Sequence, residues 1–347
     1  MHMPRTTLYC RLVTATSLII LFLIGLFLSS TSYIWSSTEW SPAAIRESDV
    51  CWNCTAEPNP VIPRIIHQTW KNESIPKKWH KAHGACKYWH KRTNWTHYFW
   101  TDHDTREFLR ILYPDFLPTY DGYKYPIQRV DAVRYFILYE YGGIYMDLDI
   151  GCMKSLDPLL RYPAIIPKTT PIGFSNDFMA SRPKHPLFKR LVDELPKSNH
   201  NWFLPYATVF FSTGPMFLNI NVKDFLHKDP VQPQKIEYDY REAKDSQNQT
   251  YIKRLPKVVD LDSVYVLEPL LYSGGMPRAF FMHFEGNSWH SSDASYILYF
   301  WSSIKPPWSS LFMFKLVLLC CIPAGIYASF KYHRKKSMDG RKTRRMD

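Results

Sequence analysis

An α/β sandwich built on a largely parallel sheet is the fold class this chain predicts, on three observations. Apolar segments of strand length alternate with stretches of helical periodicity from residue 63 to residue 150. One helical stretch, 127 to 143, stops at paired glycines, as helices do. A strand over 144 to 150 follows it directly, which is the order of a repeating strand and helix unit.

The elements run as follows. "PRIIHQTW" (63 to 70) reads as a first buried strand, opened by Pro63 and closed at Trp70. A helical stretch over 76 to 92 comes next, then a strand at 96 to 102. Asp102 or Asp104 stands where it would cap the helix "TREFLRILY". Further strands are expected at 164 to 167, 208 to 213, 256 to 267 and 279 to 284. The segment from 221 to 255 is polar and reads as loop, and no internal repeat is found.

The flanks differ in kind. Residues 12 to 28 are apolar and weakly continued to Trp35, long enough to span a bilayer. A retained signal anchor is the expectation; a cleavable signal peptide is the alternative, although no clear small-x-small site follows. A second apolar run, 311 to 330, is interrupted only by Lys315, and Trp301 and Trp308 would form an aromatic belt before it. Basic residues flank both runs on their outer sides, which puts both termini in the cytosol and the middle in a lumen. The expected parts are a cytosolic N-terminus (1–11), a membrane anchor (12–35), a polar stem (36–60), a catalytic domain (61–305), a second span (308–330) and a basic cytosolic tail (331–347).

Other residues agree with that topology. The N-x-S/T sequons at Asn53, Asn72, Asn94 and Asn248 all lie between the apolar runs, and so do Cys51, Cys54, Cys86 and Cys152. Those cysteines can pair in three ways, with a disulfide favoured over zinc for the Cys51-x-x-Cys54 spacing because no second CxxC or His pair accompanies it. Most of the net charge of +12 sits in the outer tails, where anionic lipid heads are. A nucleic-acid-binding protein would concentrate it in the folded domain, so that class is set aside.

Within "YEYGGIYMDLDIG", a strand over 144 to 150 would turn Tyr145, Asp147 and Asp149 to one face and the apolar residues to the other. The carboxylates would then project together, about 7 Å apart at their α-carbons, and would suit a hard divalent cation. D-x-D occurs twice more, at Asp102/Asp104 and Asp260/Asp262, where a helix cap and a solvated strand edge are the ordinary readings. Asp131 and Arg134, three apart on the preceding helix with Arg129 near, read by themselves as a surface salt bridge.

The stretch "QRVDAVRYFILYEYGGIYMDLDIGC" resembles the DxD glycosyltransferases, in which a D-x-x-R helix precedes G-G-x-Y-x-D-x-D. "PRIIHQTWK", "WTD", "SNDFMASRPKHPLF", "STGPMFL" and "HFEGNSWH" occur in the order of the fungal mannosyltransferases of that group (glycosyltransferase family 32 type). "GNSWHSSDA" and the second apolar run are most similar to the catalytic subunits of inositol phosphorylceramide mannosyltransferase.

The resemblance implies a GT-A type fold, a GDP-mannose donor, Mn²⁺ or Mg²⁺, and transfer with retention. By position it implies that Asp149 ligates the metal, that Asp147 contacts metal and ribose, and that Asp131 and Arg134 hold the donor. Trp70 would stack on the base, while His283, Ser288 and Trp289 would close over the diphosphate, with His283 in the metal's shell. Asn176, Asp177 and Tyr145 are further candidates for the donor side; a loop cap and simple packing are their structural alternatives. No residue declares itself as nucleophile or base. The implied acceptor is an inositol phosphorylceramide lipid, the implied partner a multi-spanning regulatory subunit, and the implied location the membrane of the Golgi or the ER. Two rivals stand beside this reading: a mannosyltransferase of glycoprotein glycans, and a non-catalytic membrane scaffold.

Overall fold

The computed structural model describes residues 43–284, apart from 55–56, 58, 92, 170–172, 203, 229–236 and 274–277. Both expected membrane spans, Ser288 and Trp289 lie outside the described residues. No helix among the described residues is long and apolar enough to cross a membrane.

The chain begins with β1 (Ala43–Ile45), β2 (Ile65–Thr69), α1 (His80–His90), β3 (Thr96–Trp100) and α2 (Asp102–Leu112). A short α3 (Leu117–Gly122) leads to α4 (Pro126–Tyr141), β4 (Gly143–Met146) and β5 (Ile150–Cys152). Then come β6 (Ala164–Pro167), β7 (Phe178–Ser181), α5 (Pro186–Glu194), α6 (Pro205–Ser212) and α7 (Pro215–Lys228). A hairpin of β8 (Tyr238–Lys244) and β9 (Thr250–Pro256) precedes β10 (Tyr265–Leu267), α8 (Pro269–Ser273) and β11 (Phe281–His283).

The main sheet has seven strands in the order β1-β10-β6-β7-β4-β2-β3. All its pairs are parallel except those made by β7, which runs against both β4 and β6. The sheet is therefore mixed, as the alternation of strands and helices could not reveal. Apolar clusters fill both its faces. One gathers α4, α5, Tyr145 and Val266; the other gathers Ile45, Ile144, Met146, Ile150 and Phe281.

Several expectations need correction. The polar segment taken as a stem up to residue 60 contributes β1, paired with β10, and buries Ile45 and Val50. Residues 208 to 213 fall mainly in α6, opened by Pro205 at its first turn, because a short run of apolar and β-branched residues carries no period of its own. The polar stretch 221 to 255 holds the end of α7 and the β8–β9 hairpin. The strand expected over 256 to 267 is interrupted by a turn in which Asp262 pairs with Arg182, so Asp260 and Asp262 are turn residues. At α2, Thr101 is the cap and Asp104 completes it by accepting from the Thr101 N–H and hydroxyl.

The cysteines adopt one of the three pairings. Cys51 joins Cys54, and Cys86 on α1 joins Cys152 on β5. All four sequon asparagines are exposed.

Candidate active site

The paired glycines set the geometry. Gly142 ends α4 with φ of 63°, its N–H bonded to the Leu138 carbonyl, and Gly143 follows at φ of 89°. A side chain on Gly143 would come within 2.8 Å of the Ile65 carbonyl, so the helix can turn into β4 against β2 only with glycine there.

The strand then ends sooner than expected. β4 stops at Met146, and Asp147-Leu148-Asp149 form a turn closed by the Ile150 N–H on the Asp147 carbonyl at 3.1 Å. The two carboxylates are thus carried by a turn between β4 and β5, not by one face of a continuous strand. Leu148, expected on the apolar face, lines the same cavity as its neighbours. The turn is held by the neighbouring strand, where the Asp147 N–H donates to the carbonyl of Asp177, the residue before β7, at 2.8 Å.

That cavity, of about 570 Å³, opens at the carboxyl ends of β2, β3 and β4. Among the sequence-predicted residues it brings together Trp70, Asp131, Arg134, Asp147, Asp149, Asn176, Asp177 and His283. Tyr145 is not in its lining. It is fully buried, and its hydroxyl bonds Thr69 at 2.8 Å and donates to Asp147 Oδ1 at 3.0 Å. Tyr145 therefore stands behind an aspartate rather than beside a ligand.

Asp131 and Arg134 are not a surface pair. Their ion pair, 2.9 Å long, is buried, with the Arg134 side chain 2% exposed. The guanidinium also faces Asp147 at 3.4 Å, donates to the Asn176 carbonyl at 2.5 Å and lies over the Tyr145 ring. Asn176 in turn donates to Asp131 Oδ1 at 3.1 Å, and Thr213 donates to Oδ2 at 3.3 Å. A sequence cannot report this burial, because α4 carries apolar residues nearly all round.

Electrostatics follow from crowding. Burial, with Asp177 and Asp149 beside it, pushes Asp147 up to about 7 even though Arg134 opposes the shift. Asp149 is raised by burial and by Asp177, and Asp131 is raised by burial against Arg134 and its hydrogen bonds. Burial disfavours the Arg134 charge, but Asp147, Tyr145 and Asp131 outweigh it and raise the pKa.

A divalent cation fits this setting. The carboxylates of Asp147, Asp149 and Asp177 share one cavity, and the nearest guanidinium is already committed to Asp131 and Asn176. Hard oxygen donors carrying surplus negative charge are what Mn²⁺ or Mg²⁺ selects. Among the described residues no three His, Cys, Asp or Glu side chains close round a metal by themselves. Water and donor phosphates would complete such a shell, which is usual for these ions.

Two contributors escaped the sequence reading. Tyr272 of α8 donates to Asp177 Oδ1 at 2.6 Å, and its ring meets His283 edge-on. Trp79 packs edge-on against Trp70 with centroids 4.8 Å apart, and both line the cavity. Neither residue lies in a motif that marks it.

Comparison with known proteins identifies the family. The glycosyltransferase sugar-binding region containing the DXD motif matches residues 76–166. Inositol phosphoceramide mannosyltransferase 1 of Schizosaccharomyces pombe is 38% identical over 80% of this chain and 76% of its own length. Inositol phosphoceramide mannosyltransferase 3 of the same yeast is 42% identical over 69% of this chain. Mannosyl phosphorylinositol ceramide synthase SUR1 of Saccharomyces cerevisiae is 40% identical over 72%. The chain spans 58% and 57% of the length of those last two relatives. Among solved structures, the PaToxG glycosyltransferase aligns over 59% of this chain and 77% of its own, at 17% identity and a TM-score of 0.35, too low to bear on the fold. The sequence relatives and the DXD match together carry the assignment: this chain belongs to the DxD-containing glycosyltransferases, in the group of the inositol phosphoceramide mannosyltransferases.

Proposed function

We propose that this glycosyltransferase moves mannose from GDP-mannose to inositol phosphorylceramide, with a GT-A type domain. The two apolar runs would anchor it in the membrane of the Golgi or the ER, with the domain lumenal and both termini cytosolic. The observation that carries the reaction class is the group of carboxylates, Asp147, Asp149 and Asp177, at the carboxyl ends of parallel strands. The acceptor reading is supported by the names of the relatives. A multi-spanning regulatory subunit is proposed on resemblance alone.

Asp147 and Asp149, with His283 alongside, would hold the divalent cation. When bound, it would supply positive charge to the departing diphosphate. Arg134 holds Asp147 in place rather than reaching the donor, since its guanidinium is enclosed by Asp131, Asn176 and Tyr145. Asp131 keeps Arg134 charged and fixed, and Asn176 locks both. Trp70, beside Trp79, offers an aromatic face for the base, and Leu148 excludes water from the floor. No carboxylate is assigned as a nucleophile on the opposite face of the sugar. Attack by the acceptor hydroxyl from the leaving-group side, with retention, is the reading that needs none.

The test is an assay of microsomes carrying the full chain with labelled GDP-mannose and either lipid or glycan acceptors. Label in mannosylated inositol phosphorylceramide is the expected outcome. Label in glycans alone would end the lipid reading. Full complementation of a null strain by the Asp147→Ala, Asp149→Ala double variant would favour a non-catalytic scaffold.

A further inference from the structure

α6 is apolar on both its sides. Its inner side buries Tyr206 and Val209. Its outer side carries Ala207, Phe210 and Phe211, which fall three and four apart on one face and are only half-buried. A helix that faced water there would carry charged or polar side chains instead. The chain leading into α6 extends the same patch with Trp202 and Leu204, each 49% exposed. The Trp202 ring lies against Phe211, with centroids 5.2 Å apart.

The patch sits in an uncharged stretch. From Ser198 to Val222 the chain holds no Asp, Glu, Lys or Arg, although those residues make up 21% of the whole. Asn199 and Asn201 at its start are exposed but neutral. A protein partner is ordinarily fixed in register by a polar and charged rim, which this stretch does not offer. A bilayer needs no such rim: it favours tryptophan at its interface and penalises charge. A glycan at the patch would hold a membrane off, and no sequon falls between 198 and 222. Asn53 and Asn248 belong to the β8–β9 region, where the Asn53 carbonyl accepts from the Lys244 N–H.

The far end of α6 is fixed to the site. Gln128 donates to Ser212 Oγ at 2.8 Å, the Tyr135 hydroxyl donates to the Thr213 carbonyl at 2.8 Å, and Thr213 reaches Asp131. Pro215, two residues on, lines the cavity. One continuous segment therefore runs from the exposed aromatic patch to the cavity wall.

We infer that Trp202, Leu204, Phe210 and Phe211 form a bilayer-docking face that seats the folded domain on the membrane surface. The docked patch brings the cavity to the headgroup of a membrane lipid, and the ties from Ser212 and Thr213 to α4 keep that placement rigid. The inference rests on the lipid-acceptor reading above. It adds the surface by which the domain itself, apart from the two apolar runs, meets that lipid's membrane.

The test places p-benzoylphenylalanine at Leu204, at Phe211 or, as a control, at Tyr240, which is exposed on β8. The full chain is reconstituted in phosphatidylcholine vesicles containing inositol phosphorylceramide, illuminated and analysed by mass spectrometry. Phospholipid adducts are expected from positions 204 and 211 and not from 240. Adducts to polypeptide alone, none at all, or equal lipid adducts from 240 would overturn the docking face. A second arm uses the Trp202→Ser, Phe211→Ser variant. Its KM for the acceptor in vesicles should rise at least about tenfold, with GDP binding and KM for acceptor dispersed in detergent as in wild type. An equal rise for both forms of acceptor would also overturn it. Lipid adducts without any transfer to inositol phosphorylceramide would leave docking standing and end the acceptor reading.

Discussion

The hydroxyl of Tyr272 sits 2.6 Å from Asp177 Oδ1, joining α8 to the carboxylate that shares a cavity with Asp147 and Asp149. Tyr272 is buried between Phe178, Phe281 and His283, so its ring is fixed and its hydroxyl has one direction to point. Tyr272→Phe keeps the packing and removes the donor. It should cost about 1 kcal/mol of stability and raise the Mn²⁺ concentration that half-saturates activity several-fold. Metal titrations of wild type and variant check this.

Divalent metal should stabilise the fold in a pH-dependent manner. Asp147 is raised from the ordinary carboxylate range to about 7, so its folded form favours the proton. Its contribution to stability is therefore present below pH 4 and is lost as pH rises through 7. Mn²⁺ competes for the same carboxylate, and its increment in Tm should be larger at pH 8 than at pH 5. Asp147→Asn should lose most of that increment and lower turnover by roughly two to three orders of magnitude. Melting curves with and without Mn²⁺, and initial rates, decide both points.

Acid should destabilise the domain through buried histidines. His67 is fully buried, donates from Nε2 to the Gly142 carbonyl at 3.0 Å and accepts at Nδ1 from the Trp100 indole at 3.1 Å. That arrangement requires the neutral ring, and burial, partly offset by the Gly142 bond, lowers its pKa to about 4. The unfolded chain takes up the proton near pH 6.5, so stability is lost as pH falls from 6.5 through 4. His67 accounts for a loss on the order of 3 kcal/mol. His67→Gln, which donates and accepts without titrating, should flatten denaturation midpoints measured between pH 7 and 5. His185, buried and likewise lowered to about 4, supplies part of the slope that remains.

The Cys86–Cys152 bridge spans 66 residues and ties α1 to the strand that follows the aspartate turn. Closing a loop of that size is worth about 4 kcal/mol. The Cys86→Ser, Cys152→Ser variant should melt well below wild type, and activity should fail at a lower temperature than in the Cys51→Ser, Cys54→Ser variant. Thermal inactivation of both measures the difference.

Where the chain carries strong local chemistry, the sequence was a good guide. β2, α1, β3 and α4 lie where periodicity put them, and Gly142 and Gly143 stop the helix for the reason their pairing suggested. The aspartate strand was misjudged because alternation of apolar and acidic residues looks alike in a strand and in a tight turn. The Asp131–Arg134 pair was read as a surface contact because spacing on a helix gives the face but not its burial. Tyr272 and Trp79 were invisible because long-range packing brings them to the cavity. β8 and β9 were missed because a solvated hairpin with polar residues on both faces has little contrast to detect.

β1 has a bearing on reach. Only seven residues, 36 to 42, lie between Trp35, the end of the first apolar run, and Ala43, where the chain is woven into the edge of the sheet. Fully extended, that leash measures about 28 Å at most. Were the apolar run the anchor proposed above, so short a leash would favour acceptors presented by the membrane itself, met by two-dimensional search rather than by capture from solution.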